Sequence, residues 1–342
     1  MLPYAARIVK QFFRNLLYIF GIILPFSRGL PYNRRMEFRY LKNMLIFSGI
    51  EPFDLKKCCT CGQAFRWVES PLRLPAEYTL PNTQISAFSG VVRGRAVLSV
   101  QSGSTLVITP CAENDAQLFI DYFDLERDYS AVEAALAVDE RLRVCLPGSS
   151  GIRVFNQEPF EALISFIISA NNNIKRISGI IDRLCSHAGE KLSVRYFPEC
   201  NADVETFAFP VPERIAALSE AELKQIGTGY RAPYIIKSAR RIADGYDLER
   251  LRGLPTAEAR KELLTFPGVG PKVADCILLF SLGHPDAFPV DVWIERAMTE
   301  LYFSDSPSRP APTKAEIQTA ARSIGSLSGI IQQYIFFYAR GK

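Results

Sequence analysis

A lysine follows a glycine-rich turn at a place where its chemistry is unusual. Lys272 comes after the sequence Pro-Gly-Val-Gly at 267–270 and directly after Pro271. Because proline suits the first position of a helix, Lys272 is predicted to lie in the first helical turn. The positive end of the helix dipole disfavours an ammonium there, and partial burial would also favour the neutral amine. Lys272 is therefore a candidate nucleophile, although a surface lysine that contacts phosphate would fit the same pattern.

A carboxylate follows this lysine along the chain. Asp291 stands nineteen residues after Lys272, between Val290 and Val292. An amine and a carboxylate that meet in a cleft would suit chemistry at a sugar carbon, where positive charge develops in the transition state. The simpler interpretation is that Asp291 caps the N-terminus of a helix. The two roles are compatible, so both interpretations stay open.

The glycine turn itself indicates what the site binds. The preceding segment, EARKELLTF, has a helical pattern, and Val273 follows the lysine. A nucleotide-binding P-loop needs a strand before its turn and Ser or Thr after its lysine, so that interpretation is disfavoured. The pattern instead predicts a helix–hairpin–helix in which Gly268 and Gly270 let the backbone approach DNA phosphate closely. A helical hairpin without any ligand is the alternative.

The elements that position these residues fall into two regions. Across residues 62–111 the pattern favours strands, since GQAFRWVE alternates and QSGS joins AVLSV to TLVITP as a hairpin. After that the apolar period becomes helical, with capping boxes predicted at Ser130-x-x-Glu133 and Ser219-x-x-Glu222. We therefore predict the α+β class, with a small antiparallel sheet domain followed by a large helical domain.

Composition limits the classes of protein and of site. The chain has 342 residues, of which 48% are hydrophobic and 22% are charged, so it is predicted to be ordered and globular. A net charge of +4 is compatible with nucleic-acid binding but is a weak signal alone. The eight cysteines show no disulfide framework, which favours a reducing compartment. A zinc site is disfavoured, because no second pair of ligands accompanies Cys58, Cys59 and Cys61. A histidine triad is disfavoured too, because the chain has only two histidines, His187 and His284.

The N-terminal region does not fit either predicted domain. The apolar segment Leu16–Phe26 is too short to span a membrane, and no signal-peptidase pattern follows it. Three interpretations stay open: an extension from an upstream start codon with Met36 or Met44 as the true start, a packed or loosely attached helix, and a membrane anchor or signal. We therefore set residues 1–43 apart as an N-terminal extension.

Several motifs occur together in an order that resembles one enzyme family. They are GQAFRW (62–67), LISFIISANNNIKRI (163–177), IGTGYRAPYI (226–235), FPGVGPKVADC (266–276) and PVDV (289–292). The combination resembles the helix–hairpin–helix DNA glycosylases and, among them, the 8-oxoguanine DNA glycosylase family, from about Phe53 to the C-terminus. The resemblance implies a TBP-like antiparallel sheet domain at 44–150 and a helical glycosylase domain at 151–342.

The resemblance assigns the chemistry to two residues. Lys272 would attack C1′ of the damaged nucleotide, expel the base and form a Schiff base from which β-elimination cuts the strand. Asp291 would orient or deprotonate the lysine and stabilise the oxocarbenium-like charge. The implied activity is excision of 8-oxoguanine opposite cytosine, with an associated lyase activity.

The resemblance also implies a pocket for a base that has left the stack. Cys276, one helical turn after Lys272, would pack on one side of the base, and Phe336 would stack on the other. Gln332 would bind the pairing edge. Gly62 would offer its carbonyl to the N7–H that 8-oxoguanine has and guanine lacks.

The remaining motifs would hold the bent duplex. Asn171 would fill the vacated space, Arg176 and Arg231 would read the orphaned cytosine, and Tyr230 would wedge between bases. A K⁺, Na⁺ or Ca²⁺ ion at the hairpin would be held by the backbone carbonyls of Leu264, Phe266 and Val269.

The sequence departs from the family pattern in places. Trp293 stands where eukaryotic relatives have a histidine, so it is left out of the catalytic set, and Phe266 replaces the usual leucine of the hairpin. No cysteine follows Cys276, so no iron–sulfur cluster is expected.

We expect a monomer that acts on duplex DNA containing 8-oxoguanine in the cytoplasm or nucleus, without a required cofactor or a membrane. An alkylated-base glycosylase and a non-catalytic DNA-binding module are the alternatives.

Overall fold

The computed structural model describes residues 36–41, 43–70, 85–196, 203–304 and 310–341. The apolar segment Leu16–Phe26 lies outside the described residues. None of the helices in the described part of the chain is both long enough and apolar enough to cross a membrane.

Among the described residues, six strands form one antiparallel sheet in the order β1-β2-β6-β5-β4-β3. The predicted hairpin is confirmed, with Ser102 opposite Thr105 at its turn. The sheet starts at Glu37, before the predicted domain start at residue 44. The strands are β1 (Glu37–Leu41), β2 (Met44–Ser48), β3 (Val68–Glu69), β4 (Ile85–Val92), β5 (Arg95–Ser102) and β6 (Thr105–Thr109).

The motif GQAFRWVE is a strand only at its end, so that part of the strand prediction is wrong. Before Val68 its aromatic side chains are held by packing: the ring of Phe65 lies 5.6 Å from that of Phe166, and Trp67 packs against the core of the sheet domain. The ring of Trp67 lies against β4 so closely that a Cβ at Gly90 would be 2.6 Å from it. Trp67 also donates from Nε1 to the hydroxyl of Tyr122 at 2.9 Å. Residues 62–67 therefore form a packed loop, which leaves Gly62 free to take a turn conformation.

The helical domain follows the sheet, as predicted. A second small antiparallel pair, β7 (Lys191–Val194) and β8 (Val204–Phe207), interrupts it. The helices are α1 (Leu55–Thr60), α2 (Ala116–Tyr122), α3 (Tyr129–Val138), α4 (Leu146–Ser149), α5 (Pro159–Ser169), α6 (Ile174–Ala188), α7 (Pro212–Ala216), α8 (Glu220–Ile226), α9 (Ala232–Ala243), α10 (Thr256–Leu263), α11 (Pro271–Ser281), α12 (Val292–Phe303), α13 (Lys314–Ile324) and α14 (Ser328–Gly341).

One of the two predicted capping boxes is confirmed and the other is wrong. At the start of α8, Ser219 and Glu222 exchange the expected hydrogen bonds. Helix α3 instead begins after Asp128, whose carboxylate accepts from the N–H of Ala131 at 3.1 Å. Glu133 is thereby released for a tertiary contact, and its carboxylate accepts from the backbone N–H of Gly151 at 2.8 Å. Aspartate caps as well as serine does, so the earlier residue takes the position.

Buried polar groups join the two domains. The fully buried Arg153 donates to the carbonyl of Pro52 at 3.0 Å and to that of Asp124 at 2.7 Å. The amide of Gln63 bridges the same seam, donating to the carbonyl of Arg153 at 2.9 Å and accepting from the N–H of Phe155 at 2.8 Å. Because Gln63 is held on both sides, the preceding turn at Gly62 is fixed relative to the helical domain.

Helix α11 is the buried centre of the helical domain. Every residue from Val273 to Ser281 is buried. The carboxylate of Asp275 accepts from Nε of Arg260 at 2.6 Å and from Nε2 of Gln318 at 3.5 Å, so it ties α11 to α10 and α13. Burial raises the pKa of Asp275 to about 6, and the partner Arg260 offsets only part of this effect.

This carboxyl group should make stability depend on pH in a defined direction. The folded protein holds the Asp275 proton more tightly than the unfolded chain, whose pKa is near 3.8. The contribution is therefore complete below about pH 4 and is lost as the pH rises through 6, with an upper size of about 3 kcal/mol for such a difference in pKa. Urea denaturation between pH 4 and 7 should show a smaller fall in the free energy of unfolding for Asp275→Asn than for the wild type.

The matched control is Asp121→Asn, which changes an exposed carboxylate on α2. Its pH dependence should match that of the wild type. An Asp275→Asn variant with an unchanged pH dependence would show that Asp275 does not hold a proton in this range.

Candidate active site

One cavity of about 650 Å³ lies between the loop at Gly62 and the helical domain. Helices α5, α6, α11 and α14 and the start of α12 surround it. All six residues that the sequence assigned to catalysis and to the base pocket line this cavity. They are Gly62, Lys272, Cys276, Asp291, Gln332 and Phe336.

Lys272 occupies the first turn of α11, as predicted, and is half-buried. Its Nζ lies 5.6 Å from the centre of the Phe166 ring, a cation–π distance. One turn later, burial raises the pKa of the Cys276 thiol to about 11, although the neighbouring Lys272 lowers it in part. Cys276 therefore presents a neutral sulfur to the cavity, which suits packing against a ligand.

Asp291 is both an N-cap and a residue of the cavity, so the two interpretations of the sequence hold together. Its Oδ1 accepts from the backbone N–H of Trp293 at 3.0 Å and of Ile294 at 2.9 Å. These two bonds fix the carboxylate at the start of α12. Its Oδ2 has no hydrogen-bond partner among the described residues, which leaves that oxygen for a group in the cavity.

The turn at Gly62 requires glycine. Its φ is +89°, and a Cβ there would lie 2.9 Å from Cδ1 of Ile174. The absence of a side chain lets the backbone of this turn line the cavity directly. A backbone carbonyl in such a position can recognise a donor on a ligand without any side-chain freedom.

Two adjacent glutamines form a polar wall. Gln332 donates from Nε2 to the carbonyl of Pro289 at 3.0 Å and accepts at Oε1 from Nε2 of Gln333 at 2.7 Å. Gln333 also lines the cavity, is 3% exposed, and has a buried Oε1 without a hydrogen-bond partner among the described residues. Three further residues line the cavity that were not predicted from the sequence: Gln333, Arg340 and Lys175. The signal for Arg340 was available, because it follows Phe336 by one helical turn.

The residues predicted to face the partner strand lie on the exposed side of the site. Asn171 has a φ of +51°, and its Nδ2 lies 3.4 Å from the hydroxyl of Tyr230. Tyr230 is 56% exposed, so its ring is not part of the core. Arg176 is exposed in the first turn of α6. These three residues are open to a large ligand.

Arg231 differs from the prediction. It is only 5% exposed, and it donates from Nε to the carbonyl of Ala170 at 3.1 Å and from NH1 to that of Thr228 at 3.3 Å. NH2 reaches the carbonyls of Ala170 and Asn171. The guanidinium also lies 4.4 Å from the centre of the Tyr230 ring. Arg231 therefore holds Asn171 and Tyr230 in place, and in this conformation most of its donors are not available to a base.

The glycine turn is a hairpin between α10 and α11, as predicted. Gly268 has a φ of +80°, and a Cβ there would lie 2.8 Å from the ring of Tyr234. Around Gly270, the N-cap of α11, a Cβ would meet no atom within 4 Å. Gly268 is thus required by the fold, whereas Gly270 leaves the backbone open to another molecule.

The predicted cation ligands lie in the same loop, with Leu264 exposed and Phe266 and Val269 buried. The carbonyl of Phe266 already accepts from the N–H of Val269 at 3.1 Å, although a carbonyl has a second lone pair. The cation therefore stays a prediction. Elsewhere in the described part of the chain, no group of three or more His, Cys, Asp or Glu side chains is placed to hold a metal ion.

Comparison with known proteins agrees with this geometry. A family model for the 8-oxoguanine DNA glycosylase N-terminal domain matches residues 45–163, and one for HhH-GPD superfamily base excision DNA repair proteins matches residues 164–323. A Methanothermobacter thermautotrophicus protein named "Probable N-glycosylase/DNA lyase" is 32% identical over 316 residues, covering 84% of this chain and 94% of that protein. The N-glycosylase/DNA lyase of Saccharomyces cerevisiae is 30% identical over 255 residues, covering 70% of this chain and 66% of that protein.

Solved structures give the same result. The Clostridium acetobutylicum 8-oxoguanine glycosylase/lyase, in complex with double-stranded DNA containing cytosine opposite 8-oxoguanine, has a TM-score of 0.78 and 34% identity, covering 91% of this chain and 99% of that chain. A 3-methyladenine DNA glycosylase from Archaeoglobus fulgidus, at 21% identity and a TM-score of 0.60, shares the fold. The chain therefore belongs to the HhH-GPD superfamily of base excision DNA repair proteins and, within it, to the 8-oxoguanine DNA glycosylase family.

Proposed function

We propose that this protein is a DNA glycosylase that excises 8-oxoguanine opposite cytosine and then cuts the strand through a lysine Schiff base. The observation that carries the proposal is the cavity in which Lys272 and Asp291 meet the four predicted base-pocket residues. A non-catalytic DNA-binding module would have no need for a nucleophile and a pinned carboxylate in one cavity with a base-sized pocket.

The chemistry begins at the sugar of the damaged nucleotide. As the C1′–N9 bond breaks, its electron pair leaves with the base, and positive charge develops on the sugar. The free Oδ2 of Asp291 lies in the cavity to stabilise that charge and to take a proton from the attacking amine. The nitrogen of Lys272 forms a bond to C1′. The C1′–O4′ bond then breaks, its electron pair stays on O4′, which takes up the proton held by Asp291, and a protonated imine results.

The imine then allows the strand to be cut. It acidifies the C2′ proton, because the electrons of the C2′–H bond can move toward the positively charged nitrogen. When water takes this proton, the electron pair of the former C2′–H bond forms a C2′–C3′ double bond and the C3′–O bond breaks, so the phosphate leaves with its electrons. Water later hydrolyses the imine to release Lys272. No cofactor enters these steps, so we propose that none is required.

The base pocket accounts for selectivity. The carbonyl of Gly62 accepts from N7–H of 8-oxoguanine, and guanine would leave that carbonyl unpaired. The neutral thiol of Cys276 and the ring of Phe336 enclose the two faces of the base. Gln332, whose amide is oriented by Pro289 and Gln333, meets the pairing edge.

The exposed residues bind the rest of the duplex. Asn171 and Tyr230 enter the space that the flipped nucleotide leaves, Arg231 supports both of them, and Arg176 reaches the orphaned cytosine. The hairpin at Gly268 and Gly270 contacts phosphate, with a K⁺, Na⁺ or Ca²⁺ ion on its carbonyls. The protein acts as a monomer in the cytoplasm or nucleus.

The proposal predicts a pattern across four substrates. Duplexes that contain 8-oxoguanine opposite cytosine, 8-oxoguanine opposite adenine, a formamidopyrimidine or 3-methyladenine are scored for strand cleavage with and without alkali. The wild type should cut the 8-oxoguanine·cytosine duplex without alkali. Lys272→Gln should lose both base release and cleavage, and Asp291→Asn should slow the reaction by at least about a hundredfold, as expected when one charge-stabilising group is removed.

Lys56→Gln is the matched control, because this exposed lysine pairs with Glu69 on the sheet domain and should retain wild-type rates. Cleavage that requires alkali would refute the lyase activity. Release of 3-methyladenine without any release of 8-oxoguanine would assign the protein to the alkylated-base glycosylases instead.

Alanine substitutions at the two hairpin glycines should affect different properties, one the stability of the fold and the other the affinity for DNA. Gly268→Ala should lower the free energy of unfolding by roughly 1–3 kcal/mol, because alanine is strained at that φ and would contact the ring of Tyr234. Gly270→Ala should leave stability within about 0.5 kcal/mol of the wild type, as is usual where nothing is disturbed. It should nevertheless weaken binding to duplex DNA about fivefold, since a methyl group would hold the phosphate away from the backbone.

Urea denaturation and fluorescence anisotropy with a labelled duplex measure the two effects. Wild-type DNA affinity in Gly270→Ala would show that the hairpin does not approach phosphate.

A further inference from the structure

Arg340 lies at the end of the cavity that holds Phe336 and Gly62. It follows Phe336 by one turn of α14, and its guanidinium carbon lies 5.5 Å from the centre of the Phe336 ring. Its NH1 lies 3.8 Å from the position that a Cβ on Gly62 would occupy. The guanidinium thus spans the ring that encloses the base and the turn that recognises N7–H.

The charge of Arg340 acts on a neighbouring residue of the cavity wall. Burial raises the pKa of the Cys61 thiol to about 11, and hydrogen bonding with Gln63 and the charge of Arg340 each offset part of this effect. Cys61 precedes Gly62 and also lines the cavity. Arg340 therefore lies beside the turn at Gly62, although its side chain is exposed.

The guanidinium of Arg340 has N–H groups that make no hydrogen bond within the described part of the chain. Within the described part of the chain it has no acidic partner and no hydrogen-bond acceptor. Two other donors of the cavity wall are engaged: the hydroxyl of Thr60 donates to the carbonyl of Lys56 at 2.7 Å, and Nδ2 of Asn172 to that of Ile168 at 3.3 Å. A guanidinium offers several N–H groups in a planar fork.

The bound base would need such a donor at this end of the pocket. In 8-oxoguanine, the carbonyl oxygens O6 and O8 stand on either side of N7–H. Gly62 can accept from N7–H, but its carbonyl cannot satisfy either oxygen. A carbonyl that is buried without a donor loses its hydrogen bonds to water and gains none, so enclosing the base between Cys276 and Phe336 without another donor would weaken binding.

We propose that Arg340 is a specificity-determining residue that donates from its guanidinium to a carbonyl oxygen, O6 or O8, beside N7–H of the flipped base. The inference rests on the proposed function and deepens its account of the pocket. Gly62 and Arg340 together form an acceptor and a donor that match the N7–H and carbonyl pair of the oxidised edge. Stacking on Phe336 holds the guanidinium at that edge.

The test compares two ligands in the Lys272→Gln background, in which the base is not released. Dissociation constants are measured for a duplex with 8-oxoguanine opposite cytosine and for the same duplex with a tetrahydrofuran abasic analogue. Arg340→Met, which keeps the aliphatic stem, should weaken binding of the 8-oxoguanine duplex about tenfold, the usual effect of losing a charge-assisted hydrogen bond. It should leave the affinity for the tetrahydrofuran duplex unchanged.

Controls separate this contact from the alternatives. Arg143→Met removes an exposed arginine that does not line the cavity and should change neither constant. Equal losses on both ligands, with the slope of log K against log salt reduced by about one, would mean that Arg340 binds phosphate and would overturn the proposal. Unchanged affinities would overturn it as well.

Two further arms complete the design. In a Phe336→Leu background, Arg340→Met should still weaken 8-oxoguanine binding, whereas no further effect would mean that Arg340 only supports the ring. A duplex with 8-oxoadenine, which keeps N7–H and O8 but lacks O6, assigns the oxygen: an equal loss indicates O8, and no loss indicates O6. If the Lys272→Gln parent does not prefer 8-oxoguanine to guanine, the proposed function itself fails.

Discussion

The burial of α11 is the constraint on which the site depends. Its residues from Val273 onward are enclosed by α5, α10 and α13, and the ring of Phe280 stacks on Phe166 at 5.6 Å between centres. One face of the helix, with Lys272 in its first turn followed by Cys276 and Phe280, lines the cavity. The backbone of Lys272 is therefore held by a helix and not by a loop, and Cys276 lies one helical turn from it on the same helix. A lysine placed in this way would lose little conformational entropy in the proposed attack on a sugar.

The charges around the cavity suit a polyanionic ligand with one cationic transition state. Among the described residues that line it, Lys175, Lys272 and Arg340 are cations and Asp291 is the single acid. The N-cap residues of α6 and α12, Asn173 and Asp291, also line it, so two helix N-termini point their positive ends toward the same space. The surroundings suit phosphate, while the one carboxylate, held by two backbone N–H groups, would stabilise the positive charge of the proposed reaction.

Local signals in the sequence predicted the parts of the site that depend on local geometry. The helix start at Pro271, the hairpin glycines and the N-cap at Asp291 are all properties of a few consecutive residues. The wider pocket came from the resemblance to a family, because Gly62 and Phe336 meet Lys272 only after the whole domain has folded. The α+β class was predicted from the change of period alone, and the structure confirms it.

Contacts between distant segments explain what the sequence could not predict. The Ser130 cap was wrong because Asp128 caps the helix and Glu133 binds Gly151 across the fold. The burial of Arg231 depends on carbonyls that lie about sixty positions earlier in the chain. The proximity of Arg340 to the turn at Gly62 joins residues that lie far apart in the sequence.

The central claim is that one amine, held by α11, forms the covalent bond to DNA. The most direct measurement is reduction with borohydride during reaction with an 8-oxoguanine·cytosine duplex, followed by digestion and mass-spectrometric mapping of the peptide that carries the nucleotide remnant. The account predicts a covalent complex with the remnant on the Nζ of Lys272. The absence of a trapped complex, or a remnant on another amine such as Lys175, would contradict it.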